Sequence, residues 1–338
     1  MKPMVVSGVT ICGVFVLKSH SINKIEPSGI TYLRLSITNE CDLRCNYCMP
    51  HRNASRHAGL PLTLHEIATL VDGFARNGVT KVRLTGGEPL VRRDVVEIVK
   101  SIAQTPGIET VGLTTNGTRL EELAADLADA GLKAVNISLD TLNPETFLSI
   151  TGRDQLDLVL RGIDAALRQG FEKVKINTVV MRGVNDTELP EIASLANRLP
   201  VEVRFIELMP LGHSTEVWQS MYIGAAEIRE ILGGLIPRVG QGSSSASLYE
   251  FGAGTVGIIS PMSRPFCDAC NRIRVTSSGV IKPCLRLPDE ENIRHLLSEP
   301  DFVIRLGEII ARLSSHKLSC ETAMTSAIQA KAMSLVGG

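Results

Sequence analysis

The chain has 338 residues, of which 44% are apolar and 21% charged; this globular composition allows a sizeable core and excludes extensive disorder. Lys and Arg number 35 against 36 Asp and Glu, so no global positive field marks a nucleic-acid or anionic-membrane partner, and an anionic ligand must be held by a local basic pocket. Aromatic residues at 4% argue further against a base-stacking platform for single-stranded nucleic acid.

Residues 1–22 precede the first periodic element. Lys2 and the mostly apolar run 4–17 have the look of a secretory signal, but the run is too short to span a bilayer and no small-residue cleavage site follows. From residue 31 onward, short β-branched runs alternate with amphipathic stretches, the pattern of successive βα units. Strands are predicted over 31–38, 81–85, 110–114, 134–139, 173–180 and 201–207, and helices over 64–76, 94–102, 120–130, 156–168 and 189–198. Within the strands, Tyr32, Arg34, Ser36 and Thr38 share one face and Leu33, Leu35 and Ile37 the other. Asn136, Ser138 and Asp140 split likewise from Val135, Ile137 and Leu139, and Lys173, Lys175 and Asn177 from Val174, Ile176 and Thr178. A closed barrel fills its interior with apolar layers. A polar inner face therefore predicts an α/β fold with an incomplete (β/α)6 TIM-like barrel over 23–212, open around a polar ligand. Residues 213–338 read as an α+β extension, with strands over 248–251, 256–259 and 273–276, a surface loop or hairpin connection at 240–247, and helices over 289–297 and 302–313.

Six of the eight cysteines fall in two groups, which favours metal binding in a reducing compartment, expected to be the cytoplasm, over a disulfide framework. Cys12 and Cys320 stand apart and read as ordinary thiols. Cys41, Cys45 and Cys48 have C-x3-C-x2-C spacing directly after the first predicted strand. A 4Fe-4S cluster normally takes four thiolates, so three leave one iron open to chelate a small molecule. The competing reading is a zinc knuckle completed by His51 or His57. Cys267, Cys270 and Cys284 form a C-x2-C-x13-C group that suits structural zinc with Cys320 or a histidine as readily as a cluster. Between them, strand alternation puts Arg272, Arg274 and Thr276 on one face. Planar guanidinium forks there suit a phosphate chain, although a solvated edge strand would show the same pattern. A lysine inside a β-branched strand, Lys175, must be paired or reach an anionic ligand; Arg34 faces the same requirement, which an ion pair to Glu88 or Glu207 would also meet.

These motifs, with Arg83-Leu84-Thr85-Gly86-Gly87-Glu88-Pro89-Leu90, Thr114-Thr115-Asn116-Gly117, Phe205-Ile206-Glu207-Leu208-Met209-Pro210 and the terminal Gly337-Gly338, resemble the GTP 3′,8-cyclases of molybdenum-cofactor biosynthesis, the MoaA family of the radical S-adenosylmethionine superfamily. The resemblance implies two 4Fe-4S clusters, the second in the C-terminal extension, and S-adenosylmethionine as cofactor. Cys41, Cys45 and Cys48 would hold the first cluster, and Tyr47, Gly87, Ser138 and Met209 would contact S-adenosylmethionine. Cys267, Cys270 and Cys284 would hold the second cluster, and Arg34, Arg83, Thr114, Lys175, Arg272, Ile273 and Arg274 would contact GTP. The Gly337-Gly338 tail would reach into the active site, where glycines pass and side chains could not. The implied partners are GTP, a reducing electron donor, a downstream cyclic pyranopterin monophosphate synthase and a second copy of the chain, with no nucleic acid or membrane. Two rival readings remain: a radical enzyme that modifies peptides with an auxiliary cluster, and a non-catalytic electron carrier or zinc-stabilised module. The C-x2-C-x2-C-x3-C-P run of bacterial ferredoxins is absent, which counts against the carrier.

Overall fold

The computed structural model describes residues 29–48, 59–211, 214–238 and 245–317. Residues 1–22, Cys12, His51, His57, Cys320 and the Gly337-Gly338 tail lie outside the described residues. Six strands follow the sequence expectation within one or two residues at each end: β1 (Tyr32–Ser36), β2 (Lys81–Thr85), β3 (Thr110–Thr115), β4 (Ala134–Ser138), β5 (Lys173–Val180) and β6 (Glu202–Glu207). Between them run α1 (Leu64–Arg76), α2 (Val95–Ala103), α3 (Leu120–Asp129), α4 (Pro144–Thr151), α5 (Leu156–Arg168) and α6 (Leu189–Arg198). The remainder supplies α7 (Ser214–Met221), α8 (Ala225–Leu232), β7 (Ile236–Pro237), β8 (Ala246–Phe251), β9 (Gly254–Ile259), β10 (Arg272–Val275), β11 (Val280–Lys282), β12 (Glu291–Asn292) and α9 (Phe302–Ser315).

Local sequence accounts for the elements that carry the site. Thr63 starts α1 by accepting from the Glu66 amide while Glu66 reaches back to the Thr63 amide, and the helix buries Ile67, Leu70, Val71 and Phe74. In β5 the alternation is strict: Val174, Ile176, Thr178 and Val180 are buried under the helices, and Lys173, Lys175 and Asn177 take the opposite face. Leu33, Leu35, Ile37, Val82, Leu84, Leu113, Val135, Ile137, Val203 and Phe205 join the same core between sheet and helices. Each such side chain contributes about 1.5–3 kcal/mol by leaving water.

All twelve strands form one sheet, ordered β12-β11-β10-β1-β2-β3-β4-β5-β6-β9-β8-β7. The eight strands from β10 to β9 run parallel, and antiparallel strands extend each edge. The sheet is therefore an open α/β array larger than the six-stranded expectation. Its two extra parallel strands come from the C-terminal part, β9 beside β6 and β10 beside β1, so the sheet continues across the expected boundary at 212.

Two local expectations are corrected, and one helix was missed. Residues 289–297 are not a helix: Glu291 and Asn292 pair with β11 as a short strand, and only Arg294–Ser298 forms a 3-10 turn. The Arg294 side chain is drawn to Glu66 and the Leu60 carbonyl, so tertiary contacts override local periodicity. Ala246 and Ser247, expected in a loop, pair with Ile259 and Ile258 in the β8–β9 hairpin. Helix α4 went unpredicted although its signals are plain: Asn143 caps the Thr146 amide, Pro144 opens the helix and Gly152 closes it at φ 66.

Candidate functional site

Because the eight parallel strands share a direction, their carboxyl ends and following loops meet at one rim, where parallel α/β sheets place their sites. Below the rim the sheet's polar face lines a cavity of about 1430 Å³. Pockets for one drug-sized ligand run to about 1,000 Å³, so this cavity has room for two small molecules side by side.

Register arranges the polar face in three rungs. In the first, Arg274, Arg34, Arg83 and Gly112 lie abreast on β10, β1, β2 and β3. In the second, Thr114, Asn136, Lys175 and Glu202 cross β3 to β6, and in the third, Ser138, Asn177, Arg204 and Gly257 cross β4 to β9. The Oγ1 atoms of Thr85 and Thr114 and the Oδ1 atoms of Asn136 and Asn177 are buried without a hydrogen-bond partner. Native proteins leave few buried polar atoms unpaired, so this row is built to meet a polar ligand.

The first rung concentrates positive charge. The Arg83 side chain donates from Nε to the Tyr32 hydroxyl at 2.7 Å and from Nη1 to the Leu113 carbonyl at 2.8 Å. Burial, and then the neighbouring guanidiniums of Arg272 and Arg83, bring Arg34 down to about 10 despite the opposing pull of Tyr32. Arg274 is pushed well below the usual arginine range by burial, Arg34 and Arg272. Burial acts to raise the Tyr32 phenol, but Arg83, Arg34 and Lys81 together bring it down to about 8. Crowded like charges of this kind are relieved by a polyanion. Glu88 and Glu207, the alternative partners that the sequence left open for Arg34, are engaged by other donors. Glu88 accepts from Thr115, the Asn116 amide and the Leu90 amide, and Glu207 accepts from the amides of Ala225, Met262 and Ser263.

Lys175 is paired as its position required: its ammonium donates to Glu202 at 2.8 Å, and Glu202 also binds Arg204. Burial first, and then Arg204, lower Lys175 to about 8 against the opposing pull of Glu202. Glu202 and Arg204 were not singled out from sequence, although both sit on the Lys175 face by simple alternation along β6.

The first cysteine group lines this cavity, and the second adjoins it. Cys41, Cys45 and Cys48 line it, in a loop held at several points. Asp42 accepts from Asn116 at 2.7 Å and from Thr118 at 2.6 Å, and the Arg44 and Asn46 amides donate to the Thr151 and Ile150 carbonyls at the end of α4. The Tyr47 hydroxyl donates to Asp140 at 2.7 Å, and Asp140 in turn accepts from the Val179 amide. Burial raises the Cys41 thiol to about 12, with Glu88, Asp42 and Cys48 adding like charge, and raises Cys45 well above the usual thiol range, with Asp140, Cys48 and Cys41 adding to it. Three half-buried cysteines lining one cavity are the donor set of a cluster held by cysteines. Among the described residues no three His, Cys, Asp or Glu side chains converge tightly enough for a single metal ion. A cubane spreads its thiolates over separate corners and has no such requirement. Cys267, Cys270 and Cys284 are also half-buried, flanked by the cavity residues Phe266, Asn271 and Leu285. Arg272 stacks over Phe266 at 4.9 Å.

Of the residues expected from sequence to contact a ligand, Arg34, Tyr47, Arg83, Gly87, Thr114, Ser138, Lys175, Met209, Arg272 and Arg274 all line the cavity. Ile273 does not: its side chain is fully buried in the core, on the face opposite Arg272 and Arg274, which leaves only its main chain available. Gly87 is required by space. A Cβ there would meet the Glu40 carbonyl oxygen at 2.2 Å, and the close approach lets the Gly87 and Glu88 amides donate to Thr38 and Glu40. Asp140 escaped attention as a partner of Tyr47 because 93 residues separate them.

The radical SAM superfamily profile matches residues 35–196, and the molybdenum cofactor synthesis C profile matches 201–320. The GTP 3′,8-cyclase of Alkaliphilus metalliredigens is 44% identical over 275 residues, 80% of this chain and 86% of that protein. The GTP 3′,8-cyclase of Moorella thermoacetica is 42% identical over 317 residues, 91% of this chain and 98% of that protein. Among solved structures, Streptococcus suis SuiB bound to S-adenosylmethionine superposes with a TM-score of 0.55 at 14% identity, covering 89% of this chain and 76% of that one, a likeness of fold alone.

Proposed function

The chain belongs to the GTP 3′,8-cyclase family of the radical S-adenosylmethionine superfamily, and on that premise we propose that it converts GTP into (8S)-3′,8-cyclo-7,8-dihydroguanosine 5′-triphosphate, the first step of molybdenum-cofactor biosynthesis. The observation that carries the substrate is the rung of Arg274, Arg34 and Arg83 abreast on three strands, facing the cavity beside two cysteine groups. A triphosphate answers it, since planar guanidinium forks match phosphate oxygens and a polyanion holds crowded guanidiniums in their charged form.

The cofactors are S-adenosylmethionine and 4Fe-4S clusters. Cys41, Cys45 and Cys48 would hold one cluster and leave an iron open to S-adenosylmethionine, with Tyr47, Gly87, Ser138 and Met209 around that molecule. Cys267, Cys270 and Cys284 would hold the other, in the region from 213 to 338. Together these groups would supply one-electron chemistry that abstracts a hydrogen atom from the ribose. The chain's own task is placement. Arg34, Arg83, Arg272, Arg274 and Lys175 would spend triphosphate binding energy on holding the ribose against the radical source. Thr114 and Asn136, with buried oxygens lacking partners, would orient the nucleoside between the two ends. Walls from eight parallel strands keep bulk water from a reactive carbon centre. Among the described residues no helix is long and apolar enough to cross a membrane. A cytoplasmic setting, a reducing electron donor, a downstream cyclic pyranopterin monophosphate synthase and a second copy of the chain complete the proposal.

Anaerobic reconstitution tests it. About eight iron and no zinc per chain, with 5′-deoxyadenosine formed from S-adenosylmethionine in the presence of reductant and GTP but not ATP, is the expected result. Stoichiometric zinc, or formation indifferent to GTP, would overturn it.

A further inference from the structure

Lys317 lies just beyond α9, against the turn that carries Cys270. Its ammonium does not turn back to the last carbonyls of the helix it follows, the usual destination of a lysine there. It donates instead to the Arg272 carbonyl at 2.6 Å and the Cys270 carbonyl at 3.1 Å, and lies 4.0 Å from Cys270 Sγ. Its own backbone is anchored by an amide bond to the Ser314 carbonyl. A half-buried lysine that bridges two carbonyls across Asn271 and lies against the Cys270 sulfur does more than end a helix.

We infer that Lys317 is a positioning residue for the second cysteine group: it clamps the turn carrying Cys270 and sets a fixed positive charge against that sulfur, raising the reduction potential of a cluster bound there. The inference rests on the proposed placement of a cluster at Cys267, Cys270 and Cys284. Reduction adds negative charge to a cluster, so a cation near its sulfur stabilises the reduced form, and charge and hydrogen bonding to the sulfurs are established levers on cluster potential.

The test is an EPR-monitored redox titration of anaerobically reconstituted full-length protein carrying Lys317→Met, Lys317→Gln or Lys317→Arg, with iron counted in each. Lys317→Met and Lys317→Gln are expected to move the second cluster's midpoint to more negative potential while the first cluster's midpoint stays in place, and Lys317→Arg is expected to remain near the parent. Where Lys317→Met assembles too little of the second cluster to titrate, Lys317→Gln, which keeps a donor for the carbonyls without the charge, supplies the reading. An unmoved second midpoint in the charge-removing variants at full iron content would overturn the role. A parent protein holding only one cluster's worth of iron would instead remove the placement on which it stands, so the two failures are told apart before any variant is made.

Discussion

Replacing Gly87 with alanine puts a methyl group where the backbone leaves no room. The added Cβ would stand 2.2 Å from the Glu40 oxygen, 2.7 Å from its carbonyl carbon and 2.9 Å from the Asn39 oxygen, whereas real Cβ atoms essentially never approach within 3.0 Å. None of these is the yielding tip of a side chain, so the loop following β1 must move by roughly 1 Å to restore contact distances. Overpacking of this kind costs about 1–3 kcal/mol. The displacement also strains the Gly87 amide bond to Thr38 and the Glu88 amide bond to Glu40, at 2.9 and 2.7 Å, each worth about 0.5–1.5 kcal/mol. Gly87→Ala is therefore expected to lose about 2–5 kcal/mol. Because Glu40 precedes Cys41, the movement passes to a cluster ligand, and reconstituted iron should fall toward about half of the parent's two-cluster content. Thermal unfolding of the metal-free protein and iron analysis after reconstitution read the two effects separately. A variant with the parent's Tm and full iron would refute the close-approach account of this glycine.

Gly112→Ala makes a contrasting case: its Cβ meets the Arg83 guanidinium at 2.9 to 3.0 Å, so it should displace that group from the first rung and weaken nucleotide binding about tenfold, as isothermal titration would show, with a small loss of stability. Nucleotide affinity should also fall as pH rises through 8, because Lys175, lowered to about 8, then sheds its charge while Tyr32, also near 8, gains a negative one. The expected limit is roughly tenfold per pH unit for each group. Lys175→Met and Tyr32→Phe should each flatten part of the slope, and a slope unchanged in both would assign it elsewhere. Glu66 is held down to about 2 chiefly by its hydrogen bond from Arg294. A depressed carboxyl stabilises above its unfolded value and loses that contribution as pH falls through the folded one. Glu66→Gln should therefore cost about 1 kcal/mol at neutral pH in urea unfolding, with the gap to the parent narrowing as the pH falls from about 4.5.

What the sequence made legible was the face each residue takes. Alternation alone separated Arg34, Lys175 and Asn177 from the core, and the two cysteine spacings marked the metal-binding loops. What stayed hidden was which strands lie side by side. Nothing local to Arg272 or Arg274 says that β10 runs parallel to β1, a pairing across some 240 residues of chain such as the one that joins Asn271 to Thr31. The same blindness hid the Tyr47 to Asp140 bond and replaced the expected helix at 289–297 with a strand paired to β11. The capping signals of α4, by contrast, were local and could have been read.

This division between face and register bears directly on the substrate. A strand with one inward arginine is an ordinary solvated edge or a salt-bridge partner, and each arginine taken singly had such a reading. Only register sets Arg274, Arg34 and Arg83 in one line, and Gly112 next to Arg83 leaves the guanidinium space that any side chain would fill. In the second rung the lysine arrives with its own carboxylate, Glu202, which also holds Arg204. An anion entering the cavity thus meets a first rung already crowded with positive charge, and a second where charge must be drawn away from Glu202. The nearer phosphates should bind to the first rung and the ligand's position along the sheet should be decided there, with Lys175 engaged last. Loss of Arg34 or Arg83 would then weaken binding more than loss of Lys175, an order that the reverse affinities would contradict.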